Sequence, residues 1–318
     1  MKVLAVVVLY NSTFAESQTV RRLMVALRDT PQLRDVLTLM IWDNSPQPLP
    51  DPQLPIPFLY RHSGANLGPS GAFNRALLHA VEHDYSWLHL FDQDTAVTPP
   101  FLETMLRHAA RIDSQSEIAL VAPTVTVRGS VVSPRRSIFN RHRAYPQGEI
   151  GVAAGEAFAI NSACMARVAA LRQVGGFSNE FWLDYSDIEL CHRLFLHGFK
   201  LWRAADAQID HEMTIMDYDR LMTPERYRNY SAAESAFNDL HKGPLENAAQ
   251  TLRTLARAIR QRFKYRNPEF SRIAARQWAY RVLTSRERRI ARWKRDAAIR
   301  LSQQNLGADS EGKTRDAA

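Results

Sequence analysis

Cysteine is scarce in this chain. Cys164 and Cys191 are the two in 318 residues. They are too few for the disulfide framework of a small secreted protein, and they do not form a C-x-x-C pair. Both are expected to be small buried hydrophobes in a reducing cytoplasm. Long apolar runs are missing as well: no stretch approaches the ~18 residues of a membrane span. Val3 to Leu9 follows Met1-Lys2 as the core of a secretory leader would. The run is short for that role and no small-residue cleavage site follows it, so a buried first strand is expected. Acids are the third shortage, and a local one. Between Arg253 and Arg300 sixteen Lys or Arg stand against Glu269, Glu287 and Asp296, a net of +13 in a chain whose total is +8, which leaves −5 for the remainder. What is present is ordinary. With 45% hydrophobic and 23% charged residues, a normal core forms without a metal or disulfide staple.

The first half alternates between two periodicities. Val3 to Leu9 is short and β-branched. Ser17 to Arg28 sets Val20, Leu23, Met24 and Leu27 at helical spacing behind a Ser17 cap. Val36 to Trp42 is strand-like and runs into Asp43-Asn44-Ser45. Pro46 through Pro57 excludes a helix or a central strand. Phe58 to Arg61 is a short strand, Asn66 to Ser70 a turn and Gly71 to His83 a helix. Ser86 to Phe91 is a strand ending at Asp92, and Pro99-Pro100 open a helix to about Arg111. This order predicts an α/β fold with a mostly parallel, doubly wound sheet and helices on both faces. Ligands of such sheets bind beyond the carboxyl ends of the strands. Asn11, Asp43, Asn66 and Asp92 each follow a strand-like run there, although Asx residues also make turns and caps.

From Arg128 to Ile150 the pattern breaks. Arg128, Arg135, Arg136, Arg141, His142 and Arg143 make a basic, loop-like segment, either a lid over a phosphorylated substrate or a surface excursion. Small and apolar residues return from Val152 to Val168, and Gly175-Gly176 ends that unit. Phe177 to Leu183 reads as aromatic and extended, Ile188 to His197 as a helix, and Phe199 to Arg203 as a strand.

Two clusters carry chemistry. Asp92-Gln93-Asp94 ends an apolar strand. Side chains at i and i+2 share a face, so the two carboxylates can converge on one hard cation, Mg²⁺ or Mn²⁺, together with substrate phosphates. Asp184, Asp187 and Glu189 crowd the start of a helix beside Trp182 and Tyr185. Capping and dipole compensation favour acids there, and one of these carboxylates is also a candidate general base. His211, alone in a polar loop, is by itself more often a surface histidine than a ligand.

The ordered set of Val8-Leu9-Tyr10-Asn11, Asp43-Asn44-Ser45, Asn66-Leu67-Gly68 with Asn74, Asp92-Gln93-Asp94, Gly175-Gly176-Phe177, Asp184-Tyr185-Ser186-Asp187 with Glu189-Leu190-Cys191, and His211 resembles the inverting family 2 glycosyltransferases of GT-A fold. Asp-Gln-Asp with Asp-Tyr-x-Asp most resembles the bacterial rhamnosyltransferase branch. The resemblance covers about residues 1–235. It implies that Tyr10, Asn11 and Asp43 hold the base and ribose of a nucleotide sugar. Asn66 and Gly68 would lie beneath the nucleotide or donor sugar, with Gln93 and Trp182 as further donor contacts. Asp92, Asp94 and His211 would meet the divalent metal, and Asp187 would be the catalytic base, with Asp184 as its rival. The implied donor is dTDP-rhamnose and the implied acceptor a glycan or lipid-linked saccharide; galactofuranose, glucose and N-acetylglucosamine are the alternative sugars. The chain departs from the family pattern in having Ser186 before Asp187 and Glu212-Met213-Thr214 after His211.

The expected organisation is a GT-A domain over 1–245, a basic helical region over 246–302 and a disordered tail over 303–318. The helical region mixes Arg and Lys with Trp278, Tyr280 and Trp293. It could contact an anionic membrane, placing the enzyme peripherally at the inner face of the plasma membrane. It could instead pack on the main body. Nucleic-acid binding by a non-catalytic protein is the reading of a different class.

Overall fold

The computed structural model describes every residue except 51–52, 139–140, 211–221, 309–314 and 318, and describes the backbone alone at 138, 141, 303–308 and 315–317. The elements run β1 (Val3–Leu9), α1 (Gln18–Asp29), β2 (Leu37–Asp43), β3 (Phe58–His62), α2 (Gly68–Glu82), β4 (Trp87–Asp92), α3 (Pro99–Arg111) and β5 (Ile118–Val127). Then come β6 (Ser130–Ser133), β7 (Arg135–Ile138), β8 (Arg141–Ala144), β9 (Gly151–Val152), β10 (Ala157–Phe158), β11 (Met165–Arg167), α4 (Val168–Gln173), α5 (Ser186–Leu196) and β12 (Lys200–Asp210). Four helices follow, α6 (Pro224–His241), α7 (Pro244–Lys264), α8 (Glu269–Leu283) and α9 (Arg286–Ala308), and a last strand β13 (Arg315–Ala317).

The main sheet has the order β13-β3-β2-β1-β4-β11-β5-β12-β9, with β6 on β5. Strands β3, β2, β1 and β4 are mutually parallel. β11 runs antiparallel between β4 and β5, and β12 is parallel to β5. All seven residues of β1 are buried, as expected of a central parallel strand covered on both faces. Leu4, Val6, Val8, Leu88 and Leu90 join one core cluster with Phe73 and Leu77 of α2, Leu171 of α4 and Leu190 of α5. Ser17 caps α1, its Oγ accepting from the Val20 N–H, and Thr98 caps α3 ahead of Pro99.

The basic segment after Arg128 is not a loop. β6 pairs with β5, while β7 and β8 join β10 in a separate three-stranded sheet. Short antiparallel edge strands can keep charged side chains in water, so no apolar alternation marks them. Phe177 to Leu183 is likewise not extended: Asn179–Phe181 is a single 3-10 turn. Cys164 and Cys191 are both buried, and burial raises both thiols, Cys191 to about 12. Neither is a nucleophile at neutral pH.

The chain forms two compact units. One comprises Met1–Ser178, Ser186–His211 and Ser302–Ala318, the other Asn179–Tyr185 and Glu212–Leu301. The division therefore falls elsewhere than at residue 245, and α6 belongs with α7, α8 and α9. Where a disordered tail is expected from residue 303, α9 continues to Ala308 and β13 pairs with β3.

The second unit is organised around one buried carboxylate. Asp239 of α6 accepts from Arg289 Nε at 2.9 Å and Nη2 at 2.8 Å, from Asn247 Nδ2 at 2.9 Å and from Trp293 Nε1 at 3.1 Å. Arg281 Nη1 lies 3.2 Å away. Burial alone would raise this acid, but the bonds from Arg289 and Asn247 and the charge of Arg281 hold it below the ordinary range. One side chain thus ties four helices together, and Arg281 and Arg289 are interior groups, not solvated ones. Asp239→Ala leaves two buried guanidinium groups without their counter-ion and is expected to destabilise the chain by about 3–5 kcal/mol. Urea unfolding would show this; a loss below about 1 kcal/mol would mean that the hub does not organise the unit.

Candidate active site

The strand order reverses between β1 and β4. β2 and β3 extend to one side of β1, and β4 lies on the other. Val8 is in register with Asp92, and Leu9 with Asp43. The carboxyl ends of β2, β1 and β4 therefore stand side by side, at the switch point where open α/β sheets bind ligands.

Tyr10 and Asn11 leave β1 exposed, Asn11 with φ of 48°. The Tyr10 N–H donates to Gln93 Oε1 at 2.9 Å, and the Asn11 N–H to Ser45 Oγ at 2.9 Å. Gln93 therefore fixes the end of the neighbouring strand. Asp43 is fully buried; its Oδ1 accepts from the Ser45 N–H at 2.9 Å and its Oδ2 from the Tyr60 hydroxyl at 2.7 Å. Burial and that carboxylate raise the Tyr60 phenol, which stays protonated. Both Asp43 oxygens are thus engaged within the protein, and Asp43 acts on Asn11 through Ser45. Asn44, also buried, donates to the Gly68 carbonyl at 3.1 Å, and exposed Asn66 accepts from the Gly68 N–H at 2.9 Å. Gly68, with φ of 65°, starts α2 in a conformation that favours glycine.

The Asp92–Thr95 turn is held from behind by α1. Thr19 Oγ1 donates to the Asp92 carbonyl at 2.5 Å and accepts from the Thr95 N–H at 2.7 Å, and Ser17 Oγ donates to the Gln93 carbonyl at 2.8 Å. These bonds leave the Asp92 side chain directed by another partner: the Ser162 hydroxyl donates to its Oδ2. Ser162 sits between β10 and β11 in a segment anchored by Ala163 N–H to Leu90 O at 2.7 Å and Leu90 N–H to Cys164 O at 2.8 Å. Asn161 Nδ2 reaches Ser186 Oγ at 3.3 Å, at the first turn of α5. One short loop thus touches the Asp92 carboxylate and the helix start that carries Asp187. Asp187 is half-buried, and its Oδ1 accepts from the Ile188 N–H at 2.8 Å.

The remaining motif residues brace this frame. Asn74 of α2 forms a reciprocal pair with the Phe177 backbone, at 2.8 and 2.7 Å. Gly176 has φ of 72°, and a Cβ there would collide with the Asn74 side chain. Buried Glu189 binds Arg193 at 2.6 and 2.9 Å, and Arg193 donates to the carbonyls of Val174 and Gly176. Asn74, Gly176 and Glu189 therefore hold α2, the Gly-Gly turn and α5 together.

Asp184 and Trp182 belong to the second unit, whereas Asp187 belongs to the first. Asp184 is clasped by Arg226 through both oxygens, at 2.9 and 3.1 Å. Asp92 is half-buried and Asp94 exposed at the open strand end, and their oxygens suit a hard divalent cation that keeps water and phosphate ligands. Among the described residues no three His, Cys, Asp or Glu side chains form a metal-holding group. His211 lies outside the described residues. Ser162, Asn161 and Thr19 escape sequence reasoning, and Ser45 enters it only as a neighbour of Asp43. Their one signal is polar Asn161-Ser162 inside the small, apolar stretch 152–168.

A mostly parallel sheet with carboxylates at its switch point defines an α/β protein whose ligand site lies at the carboxyl ends of the strands. More specifically, the chain belongs to glycosyl transferase family 2, whose profile matches residues 5–175. Its fold, with the β11 insertion and C-terminal helices, is GT-A. Among solved structures, that of S. aureus TarS 1-349 is similar at 16% identity and a TM-score of 0.48, over 95% of this chain and 92% of that one. Comparison with curated protein sequences finds no match.

Burial raises the Asp184 carboxyl from 3.8 to about 6, against the opposing charge of Arg226. Between these values the folded chain keeps a proton that the unfolded chain releases. Asp184 should therefore lower stability as pH rises from about 4 to about 6, by on the order of 1–3 kcal/mol. Urea midpoints of native protein and Asp184→Asn across this window should diverge accordingly; parallel curves would contradict the assignment.

Proposed function

We propose that the chain is an inverting glycosyltransferase that transfers rhamnose from dTDP-L-rhamnose to a glycan or lipid-linked acceptor in surface polysaccharide synthesis. The observation that carries the site assignment is the single loop whose Ser162 holds Asp92 and whose Asn161 reaches Ser186, next to Asp187. An inverting transfer needs two things close together: a place for the departing diphosphate, and a base on the acceptor side of the anomeric carbon.

In this reading Tyr10 and Asn11 contact the base and ribose, and buried Asp43 positions them through Ser45. Asn66 and Gly68 support the nucleotide from the start of α2. Asp92 and Asp94 would hold a divalent metal, Mg²⁺ or Mn²⁺, whose charge would stabilise a departing nucleoside diphosphate. Arg135 is a further candidate for the diphosphate. Its Nε is buried without a hydrogen-bond partner. It lies two residues after Ser133, whose hydroxyl accepts from the Ile160 N–H at 3.1 Å in the loop that carries Ser162. Asp187 takes the proton of the acceptor hydroxyl as that oxygen attacks the anomeric carbon. The sugar passes through a transition state of oxocarbenium character, as in other glycosyl transfers.

Support for rhamnose comes from the Asp-Gln-Asp and Asp-Tyr-x-Asp resemblance. The bond from Tyr10 to Gln93 gives that glutamine a structural reason that does not involve the sugar. The donor is therefore the part of the proposal to test first, by release of nucleoside diphosphate from a panel of nucleotide sugars with Mg²⁺ or Mn²⁺.

Asp187→Asn keeps an oxygen for the Ile188 N–H and removes the base. It should lower kcat by about 10²–10⁴-fold with donor affinity retained. Asp92→Ala should lower turnover by about 10³-fold or more and weaken metal-dependent donor binding as well. Full activity of Asp187→Asn would remove that residue from the base role, and absence of release from every donor would overturn the enzymatic reading.

A further inference from the structure

Helix α7 is built inside out. Its buried positions are Asn247, Gln250, Thr254, Ala258 and Gln261, four of the five polar. Four of its five large apolar residues face the other way: Leu245 is 88% exposed, Leu252 68%, Ile259 56% and Phe263 84%, while Leu255 is half-buried. An ordinary surface helix does the reverse. The polar side is accounted for, because Asn247 belongs to the Asp239 hub and Gln261 accepts from the Tyr227 hydroxyl at 3.1 Å. The apolar side is not.

Leu245, Leu252, Ile259 and Phe263 are spaced by seven, seven and four residues, which at ~100° per residue keeps them within a stripe about 40° wide. Exposed Arg253, Arg260 and Lys264 fall along one flank of that stripe, and exposed Arg262 along the other. Arg257 is excluded from this rim, since it turns inward onto Glu234 at 2.5 and 2.6 Å. Glu246, in the first turn, is the one acid of the helix.

We propose that this outer face of α7 docks on an anionic lipid surface, lying in the interface with the apolar stripe inserted and the cations against the headgroups. An apolar stripe bordered by Arg and Lys is the composition of an interfacial helix, and anionic lipid is the occupant whose charge complements the rim. A second copy placed face to face would set Arg253, Arg260 and Lys264 against like charges. No helix among the described residues is long and apolar enough to cross a membrane, so the contact is peripheral. The proposal is independent of the donor chemistry, because donor turnover in the absence of lipid is measured separately.

The test is co-sedimentation of the full-length chain with vesicles of phosphatidylcholine plus phosphatidylglycerol, and of phosphatidylcholine alone. Truncation at 245 would not serve, because it removes the partners of Asp239. Two triple variants are compared, Leu252→Ser/Ile259→Ser/Phe263→Ser and Arg253→Gln/Arg260→Gln/Lys264→Gln, each checked for native helicity and Tm. The native chain should sediment with the anionic vesicles alone. Each variant should lose about tenfold or more in lipid partitioning with unchanged lipid-free donor turnover. The proposal is overturned if the native chain ignores anionic vesicles, binds both vesicle types equally, or binds as well after the serine substitutions. It is equally overturned if those substitutions convert a dimer to a monomer while vesicle binding is absent.

Discussion

The hydroxyl of Ser162 on the Asp92 carboxylate is the contact on which the rest of the site depends. Asp92 ends a central strand, and its backbone is fixed by Thr19 of α1. Its side chain would be a generic acid at a strand end if nothing aimed it. Ser162 aims it, and the residue before Ser162 reaches the first turn of α5. The loop is in turn pinned to β4 by the bonds between Leu90 and Ala163 and between Leu90 and Cys164. The geometry of the carboxylate and of the Asp187 helix is thus set by the pairing of β11 beside β4. This is how a sheet insertion three residues long can matter to chemistry.

Much of this frame was legible in the chain, for physical reasons. Val3 to Leu9 reads as a buried strand because a continuous β-branched run has few other uses in a parallel sheet. Asp92 reads as a strand-end acid because the strand before it is apolar and ends there. The β6–β8 region was not legible. Its strands are four residues each, β7 and β8 carry arginines, and although β6 pairs with β5 and β8 with β7 close in sequence, β7 takes its other partner from distant β10. Ser162 was invisible for a related reason: a small hydroxyl carries no periodicity, and its importance arises from what lies across the sheet.

Two residues first read as ligand contacts also have structural work within the protein. Asp43 engages both oxygens with Ser45 and Tyr60, and Gln93 holds the Tyr10 backbone. The second unit shows the same economy. Its arginines read from sequence as one basic surface, yet Arg281 and Arg289 neutralise Asp239 in the interior. Four of the cations that remain outside, Arg253, Arg260, Arg262 and Lys264, border the apolar stripe of α7, a pattern that net charge alone does not reveal.

The central claim is that Asp187 delivers the acceptor opposite a diphosphate held at the Asp92 strand end, in one displacement. The anomeric configuration of the first-formed product tests it directly. It can be followed by proton NMR as the enzyme transfers the sugar to an acceptor, or to water as a slow substitute. The account predicts a product of configuration opposite to the donor's. Retention of configuration would require a covalent glycosyl-enzyme or a front-face departure, and would contradict it.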